Sequence, residues 1–358
     1  VLIVPKQTLG QWRKEFADLF PGHVHWLLAA TDGSFDGEAR REFLARAVTG
    51  NARVILMTYD QCRAIPLRPK TFRAYLQREI DELESALILR GEESGAAKTM
   101  EREMKKRMAT LERFMVAQSE RWDRLKKRYD SPVSWEDINA DIIACDECHY
   151  LKAFPVATKM SGIAGMARSE SQRAVDTTMK IHWVLSPDLF GQERPSGKAI
   201  GLTGTPITNT LCEAWVMMRI FQPRLLRKLG FWFFDDWART FTTPTTEAEF
   251  DAVANLRMQT RLKFQNVPEL LDALSTCWDR ATDSPDMARP DVVGGRMEIV
   301  EVPGSEALRA YVASLAKRAE KVRKRLVHPS KDNMLKITHD GRLAALFNGP
   351  PSDTWTPG

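Results

Sequence analysis

Two short stretches carry the residue types that do chemistry. Asp146-Glu147-Cys148-His149 places two adjacent carboxylates and an imidazole directly after the apolar run Ile142-Ile-Ala-Cys145. Thr203-Gly204-Thr205-Pro206 places two hydroxyls around a glycine, directly after Ala199-Ile-Gly-Leu202. Apolar runs of this length read as short strands, the first of them buried. A strand that delivers two carboxylates to its C-terminal tip suits nucleotide hydrolysis, because one can hold Mg²⁺ while the other orients the attacking water. If the two strands are parallel neighbours, both tips reach one edge of a sheet, and the threonine hydroxyls can hydrogen-bond the acidic cluster. Adjacent carboxylates also occur as plain surface charge, so this side-by-side placement is the test of the reading.

The elements around them must supply the sheet. Val1-Leu-Ile-Val-Pro5 reads as a strand, Lys6 to Gly10 as a polar turn and Gln11 to Leu19 as a helix. Trp12 reads as core packing. Val24 to Ala29, a helix over Ser34 to Val48 and the strand Val54-Ile-Leu-Met57 follow. This β-α-β-α-β rhythm predicts a parallel sheet. Between Thr71 and Tyr129 the strand signal stops. Phe72, Leu76, Ile80 and Leu83, then Met100, Met104, Met108 and Leu111, recur at helical spacing around Gly91-Glu-Glu-Ser-Gly95. They predict a long αα-hairpin whose methionine stripe is core. Its second arm is rich in Lys and Arg, which fits a solvated charged face or a nucleic-acid contact. Tyr150 to Arg173 reads as polar loop and short helix, and Arg173 to Leu185 as helix. After the second strand, helices are expected over Leu211–Phe221, Pro223–Leu229, Asp235–Phe241, Glu247–Phe264 and Val267–Leu274. A linker over 282–296, a strand over Glu298–Val302, a basic helix over Ser305–Val327 and a disordered tail from Asn348 complete the expectation.

Composition narrows the class. With 43% hydrophobic and 28% charged residues over 358 positions, the chain suits a soluble globular protein of about two domains. No apolar run approaches the roughly 18 residues that span a membrane. The N-terminus lacks the length and basic lead-in of a signal peptide and reads like a strand entered midway, as in a chain cut from something longer. A net charge of +5 permits a polyanionic partner without requiring one. Five scattered cysteines argue against a disulfide framework and for a reducing cytoplasm. Cys145-x-x-Cys148 encloses the acidic pair itself, which leaves no free turn for a zinc or redox site.

The order of motifs resembles a known family. Val1-Leu-Ile-Val-Pro-Lys-Gln-Thr-Leu-Gly-Gln-Trp12 is similar to motif Ia of superfamily-two helicases, especially the Swi/Snf-type DNA translocases. Val54-Ile-Leu-Met-Thr-Tyr59 resembles motif Ib, Asp146-Glu-Cys-His149 a variant DEAH box, and Leu202-Thr-Gly-Thr-Pro-Ile-Thr-Asn209 motif III. Glu213-Ala-Trp and the Phe221 to Phe241 helices resemble the helical extension of the first lobe, and Leu326-Val-His-Pro329 with Gly341-Arg-Leu the approach to the second. Within this group the chain is most similar to phage- and plasmid-borne proteins that fuse such a module to an adenine-specific DNA methyltransferase.

The resemblance implies an α/β, RecA-like parallel sheet with flanking helices, an inserted long αα-hairpin and a C-terminal helical subdomain. It divides the chain into the first part of the lobe (1–70), the hairpin (71–130), the second part with both tips (131–210), a helical extension (211–281), a linker, strand and long helix leading to a second lobe (282–347), and a tail (348–358). It implies ATP and Mg²⁺ as cofactors, with Asp146 on the metal and Glu147 as base or water-orienting group. His149 would couple the acidic box to Thr203, Gly204 and Thr205, although a capping or surface role is the plain alternative. Lys6, Gln11, Thr58 and Tyr59 would lie along a phosphate backbone, double-stranded DNA being the implied partner. A second RecA-like lobe and a fused methyltransferase domain are the other implied partners. RNA-unwinding helicases share the motifs, and only the helices after motif III favour the DNA translocases.

Departures matter as well. No G-x-x-x-x-G-K-[ST] occurs in the 358 residues, and Gly197-Lys198-Ala199 lacks the spacing and the preceding strand of a phosphate cradle. In the family that loop precedes motif Ia and the arginine finger lies on the second lobe. Pro350-Pro351 lacks the neighbours of a methyltransferase signature. The alternative is therefore a non-hydrolysing nucleic-acid-binding or scaffold module of a larger DNA-modification or restriction-related protein.

Overall fold

A computed structural model describes residues 1–30, 35, 37–89, 95–128, 132–158, 160, 163–166, 171–190, 193–250, 256–281, 295, 303–324 and 326–349. It divides into two units, Val1–Thr245 with Thr260–Leu271, and Thr246–Gln259 with Asp272–Gly358.

The first unit is built on β1 (Leu2–Val4), α1 (Leu9–Leu19), β2 (Leu27–Ala29), α2 (Gly37–Thr49), β3 (Val54–Thr58) and α3 (Tyr59–Ala64). The hairpin helices α4 (Pro69–Leu89) and α5 (Gly95–Arg128) follow, then α6 (Trp135–Ile138), β4 (Ile142–Cys145), α7 (Gln172–Leu185) and β5 (Lys198–Gly201). The five strands form one parallel sheet in the order β2-β3-β1-β4-β5. A parallel sheet must be covered on both faces. Here α1 packs on β3, while α7 packs on β4 and β5. Ile3, Val4, Leu56, Met57, Ile143 and Cys145 are buried as a result. The fold is α/β with a five-stranded parallel sheet and flanking helices, consistent with a RecA-like lobe.

In the hairpin, Phe72, Leu76, Ile80 and Leu83 of α4 and Met104 and Leu111 of α5 are buried, as the spacing predicts for core. Its turn lies outside the described residues. Beyond β5 come α8 (Cys212–Phe221), α9 (Pro223–Lys228) and α10 (Phe234–Phe241). Gly201 is required where α8 crosses the sheet: a Cβ there would sit 2.8 Å from the Phe221 ring and 3.0 Å from the Cys148 sulfur.

One expected element is wrong. The stretch read as a helix over Glu247–Phe264 is a pair of strands, β6 (Thr242–Phe250) and β7 (Leu256–Phe264). The physical reason is in the sequence. Leu256, Met258, Thr260, Leu262 and Phe264 alternate with polar residues at period two, and Thr242 to Thr246 is β-branched except for its proline. The extension is therefore not purely helical. The expected strand over Val24–Ala29 is also shorter, because Pro21–Trp26 turns as a 3-10 helix before β2 begins.

After α11 (Val267–Ser275), the second unit contains α12 (Glu306–Arg323) and α13 (Met334–Phe347), which share a core of Leu315, Ala319 and Ile337. Arg318 bridges Asp332 and Asp340 at 2.8 and 2.7 Å. Asn348, expected to open a disordered tail, caps α13 in the left-handed conformation and accepts from the Ser305 N–H at 2.9 Å. The expected strand over Glu298–Val302 and the tail from residue 350 lie outside the described residues.

Candidate functional site

β4 and β5 are hydrogen-bonded neighbours, with Ile142 opposite Lys198 and Cys145 opposite Gly201. The ladder continues past both strands, as Leu202 N–H donates to Cys145 O and Cys148 N–H to Leu202 O, both at 2.9 Å. The acidic tip and the Thr203 turn therefore stand side by side at the C-terminal edge of the sheet.

At that edge the backbone of Glu147 is left-handed, with φ 50° and ψ 47°. The other non-glycine residues at positive φ among the described residues are asparagines, Asn139, Asn266 and Asn348. Asparagine tolerates this region; glutamate does so at a cost of about 1–2 kcal/mol. Strain of this kind collects at sites where geometry matters more than stability. Here it turns the Glu147 carboxylate back toward His149, whose Nδ1 lies 2.9 Å from Glu147 Oε2. The same nitrogen is 3.2 Å from Thr203 Oγ1 and 3.5 Å from Thr205 Oγ1. As an N–H it donates to the carboxylate; as a bare nitrogen it accepts from a hydroxyl. His149 thus joins the two tips through one atom.

Asp146 is held from three sides. Its Oδ2 accepts from Trp12 Nε1 at 2.8 Å and from Thr8 Oγ1 at 3.5 Å, and its Oδ1 accepts from Glu147 N–H at 3.0 Å. A carboxylate offers about four lone-pair positions, so these three donors leave room for a cation. Among the described residues no group of three or more His, Cys, Asp or Glu side chains could hold a metal ion. That donor set fits Mg²⁺, which takes one or two carboxylates and completes its shell with water and phosphate oxygens. It does not fit zinc. Cys145 and Cys148 are buried, and burial pushes the Cys148 thiol up to about 12 and the Cys145 thiol well above its ordinary value.

The expected backbone-contacting residues divide. Lys6 and Gln11 are exposed on the turn and helix after β1. Thr58 and Tyr59 are buried and make internal bonds. Thr58 caps α3 with Gln61 as a reciprocal pair, and Tyr59 donates its hydroxyl to Asp146 O at 2.8 Å. Burial, with nearby Cys145, Cys148 and Asp146, raises the Tyr59 phenol far above its ordinary value, so it stays a donor. Gly204 is exposed, and a Cβ there would meet nothing within 4 Å.

Three residues of the site escape sequence reasoning. The Trp12 ring does pack on the core of Val4, Leu9 and Leu56, but its N–H reaches Asp146. Lys152 and Glu213 pair at 2.8 Å behind the Thr203 turn. Glu213 also accepts from Thr208 N–H at 2.7 Å and Asn209 N–H at 3.4 Å, and Lys152 donates to Thr208 Oγ1 at 3.0 Å. Burial pushes the Glu213 carboxyl up, but Lys152 and these N–H groups outweigh it and hold it below its ordinary value. A cavity of about 500 Å³ opens between this pair, His149, Tyr150 and Thr205. The signal available for Glu213 is its place in the first turn of a helix, where a carboxylate caps free N–H groups.

Among the described residues no helix is long and apolar enough to cross a membrane. Neither the curated proteins nor the solved structures contain a match to the chain. A family model described as "Probable helicase domain" matches residues 2–282, a span that includes both strand tips, the hairpin and the helices beyond them. The chain belongs to this probable helicase domain family.

Proposed function

We propose that the chain is the first lobe of an ATP-dependent helicase of the double-stranded-DNA translocase type. The observation that carries this is the joining of the β4 and β5 tips through His149, which places a Mg²⁺-competent carboxylate, a second carboxylate and two hydroxyls at one sheet edge. Asp146 would hold Mg²⁺ with its open lone pair, and Trp12 and Thr8 fix its orientation. Glu147 would orient the attacking water and take its proton. Bound Mg²⁺–ATP supplies the transferable phosphoryl group and the cation that offsets its charge. His149 would then exchange the Glu147 carboxylate for the Thr203 or Thr205 hydroxyl, so a change at the nucleotide moves the turn after β5.

Two further partners follow. A strand carrying a phosphate loop would add to the edge of β5, where Ile200 and Leu202 are 46% and 40% exposed; an apolar sheet edge of this kind favours pairing. A second RecA-like lobe would supply an arginine across Asp146 and Glu147. A fused methyltransferase rests on the resemblance alone.

Lys6 is an exposed cation two residues beyond the end of β1. Duplex binding followed by fluorescence anisotropy is expected to weaken with salt, and Lys6→Ala to make the log–log slope shallower by about 1. Salt-independent or absent binding would favour the scaffold reading. ATP turnover by these 358 residues is expected at background; turnover lost in Glu147→Gln would show that the phosphate loop is dispensable.

A further inference from the structure

The hairpin insertion contributes more than packing. A groove of about 370 Å³ runs along the second half of α5, beside α3 and the start of α7, with Asp60, Arg63, Phe114, Arg121, Arg124 and Asp176 among its walls. Arg121 Nη2 donates to Arg63 O at 2.6 Å, which fixes α5 to α3 at this point. The two acids in the groove have other cations as partners. Asp60 lies 3.3 Å from Arg173, and buried Asp176 lies 2.6 Å from Lys180. The Arg124–Glu120 pair is long, 3.8 Å, and both side chains are well exposed, so it neutralises little. Three guanidinium groups thus share one concave surface.

We propose that this groove is a second phosphate-binding site, in which Arg63, Arg121 and Arg124 hold one backbone segment of a DNA duplex. This inference rests on the reading of the chain as a DNA-binding lobe and extends its contact surface onto the inserted hairpin. Arg63 lies one helical turn beyond Tyr59, whose hydroxyl donates to Asp146 O, so α3 links a wall of the groove to the sheet edge that carries Asp146. Guanidinium forks match phosphate oxygens in a bidentate way. An acidic protein segment fits less well, because Phe114 is the one large apolar side chain among the groove's described walls and protein interfaces need a cluster of apolar anchors. Burial, partly opposed by Asp176, lowers the Arg121 pKa, and the positive charges of Arg40, Arg63 and Arg124 add to that lowering. An anion in the groove would relieve that repulsion.

The test uses the full chain and a short fluorescein-labelled duplex, titrated from about 50 to 200 mM salt. Arg124→Glu is the first variant, since this side chain is 70% exposed and its reversal leaves the packing alone. The second is the triple variant Arg63→Gln, Arg121→Gln, Arg124→Gln, with its melting curve recorded alongside. Arg124→Glu is expected to weaken binding about tenfold, and the triple variant to make the salt slope shallower by about 2–3. Arg124→Lys is expected to keep the slope. The proposal is overturned if both charge-removing variants bind like the parent while Lys6→Ala still lowers the slope. It is also overturned if a poly-glutamate peptide binds the parent, is lost in Arg124→Glu, and duplex binding is unchanged. If the parent binds no duplex at all, the DNA-binding reading itself fails.

Discussion

The two ends of α8 each carry a buried ion pair, yet they hold different things. At its first turn Glu213 meets Lys152, with side chains 7% and 12% exposed, and grips the loop after β5 by its backbone N–H groups. Near its last turn Arg219 places Nη2 2.7 Å from both oxygens of Glu79 on α4 and fastens the hairpin. Trp232 lies against the guanidinium groups of both Arg219 and Arg227, and its N–H donates to Glu82 of the same helix. One end therefore positions the loop after β5, beside the proposed nucleotide site, and the other fastens the inserted hairpin. Six residues of helix, about 9 Å, separate Glu213 from Arg219. The difference teaches that a buried pair must be judged by what is left when it is broken.

The largest effect is expected at the hairpin end. Arg219→Met keeps the volume of the stem but leaves the Glu79 carboxylate buried without its cation. Burial pushes that carboxyl up, and Arg219 is what outweighs it and holds it below its ordinary value. Urea denaturation is expected to show a loss of about 3–5 kcal/mol, with most of it recovered in Arg219→Met/Glu79→Leu. A loss under about 1 kcal/mol would place the two ends on an equal footing and remove the contrast.

The same end makes the fold acid-sensitive. His182 donates Nε2–H to the Arg219 carbonyl at 3.1 Å, and burial, aided by the Arg219 charge, lowers its pKa from 6.5 to about 3. The unfolded chain takes up this proton near pH 6.5 and the folded protein only near pH 3. Between those values the unfolded state holds more protons, so stability falls as pH falls. From pH 6.5 to about 5 the loss is about 2 kcal/mol, and His182→Gln is expected to flatten that limb. Glu79 acts in the same direction only nearer its own titration range, so a flat parent curve above pH 5 would sink the assignment to His182.

How much of this was legible follows from the reach of each interaction. The tips of β4 and β5 could be read because each is a four-residue apolar run ending in polar residues, and parallel neighbours bring such ends together. Burial of the hairpin stripe was legible for the same reason, as spacing fixes a helix face. The Arg219–Glu79 pair was not, since its partners are 140 positions apart and nothing in either local pattern names the other. Trp12 shows the intermediate case: its ring packs on the core as its spacing implies, but the direction of its N–H depends on how α1 lies on the sheet. The helix expected over Glu247–Phe264 is overturned because the period-two alternation of Leu256–Phe264 outweighs the helix propensity of Glu247-Ala-Glu.

The smallest effect, and the sharpest for the contrast, is expected at the loop end. Glu213→Gln keeps the shape and an acceptor oxygen for the Thr208 N–H but removes the charge that Lys152 faces. Lys152 stands beside the cavity, so its flexible stem can swing the ammonium into water. The global loss is then only about 1–2 kcal/mol. What changes is local. Hydrogen exchange at the Thr208 and Asn209 amides is expected to quicken, because their acceptor is weakened, while the buried core of α4 keeps its protection. If exchange quickens equally in both places, α8 behaves as one rod whose two pairs share their strain. If it quickens only after β5, the helix isolates the proposed nucleotide edge from the hairpin, and the two ion pairs are independent devices on one element.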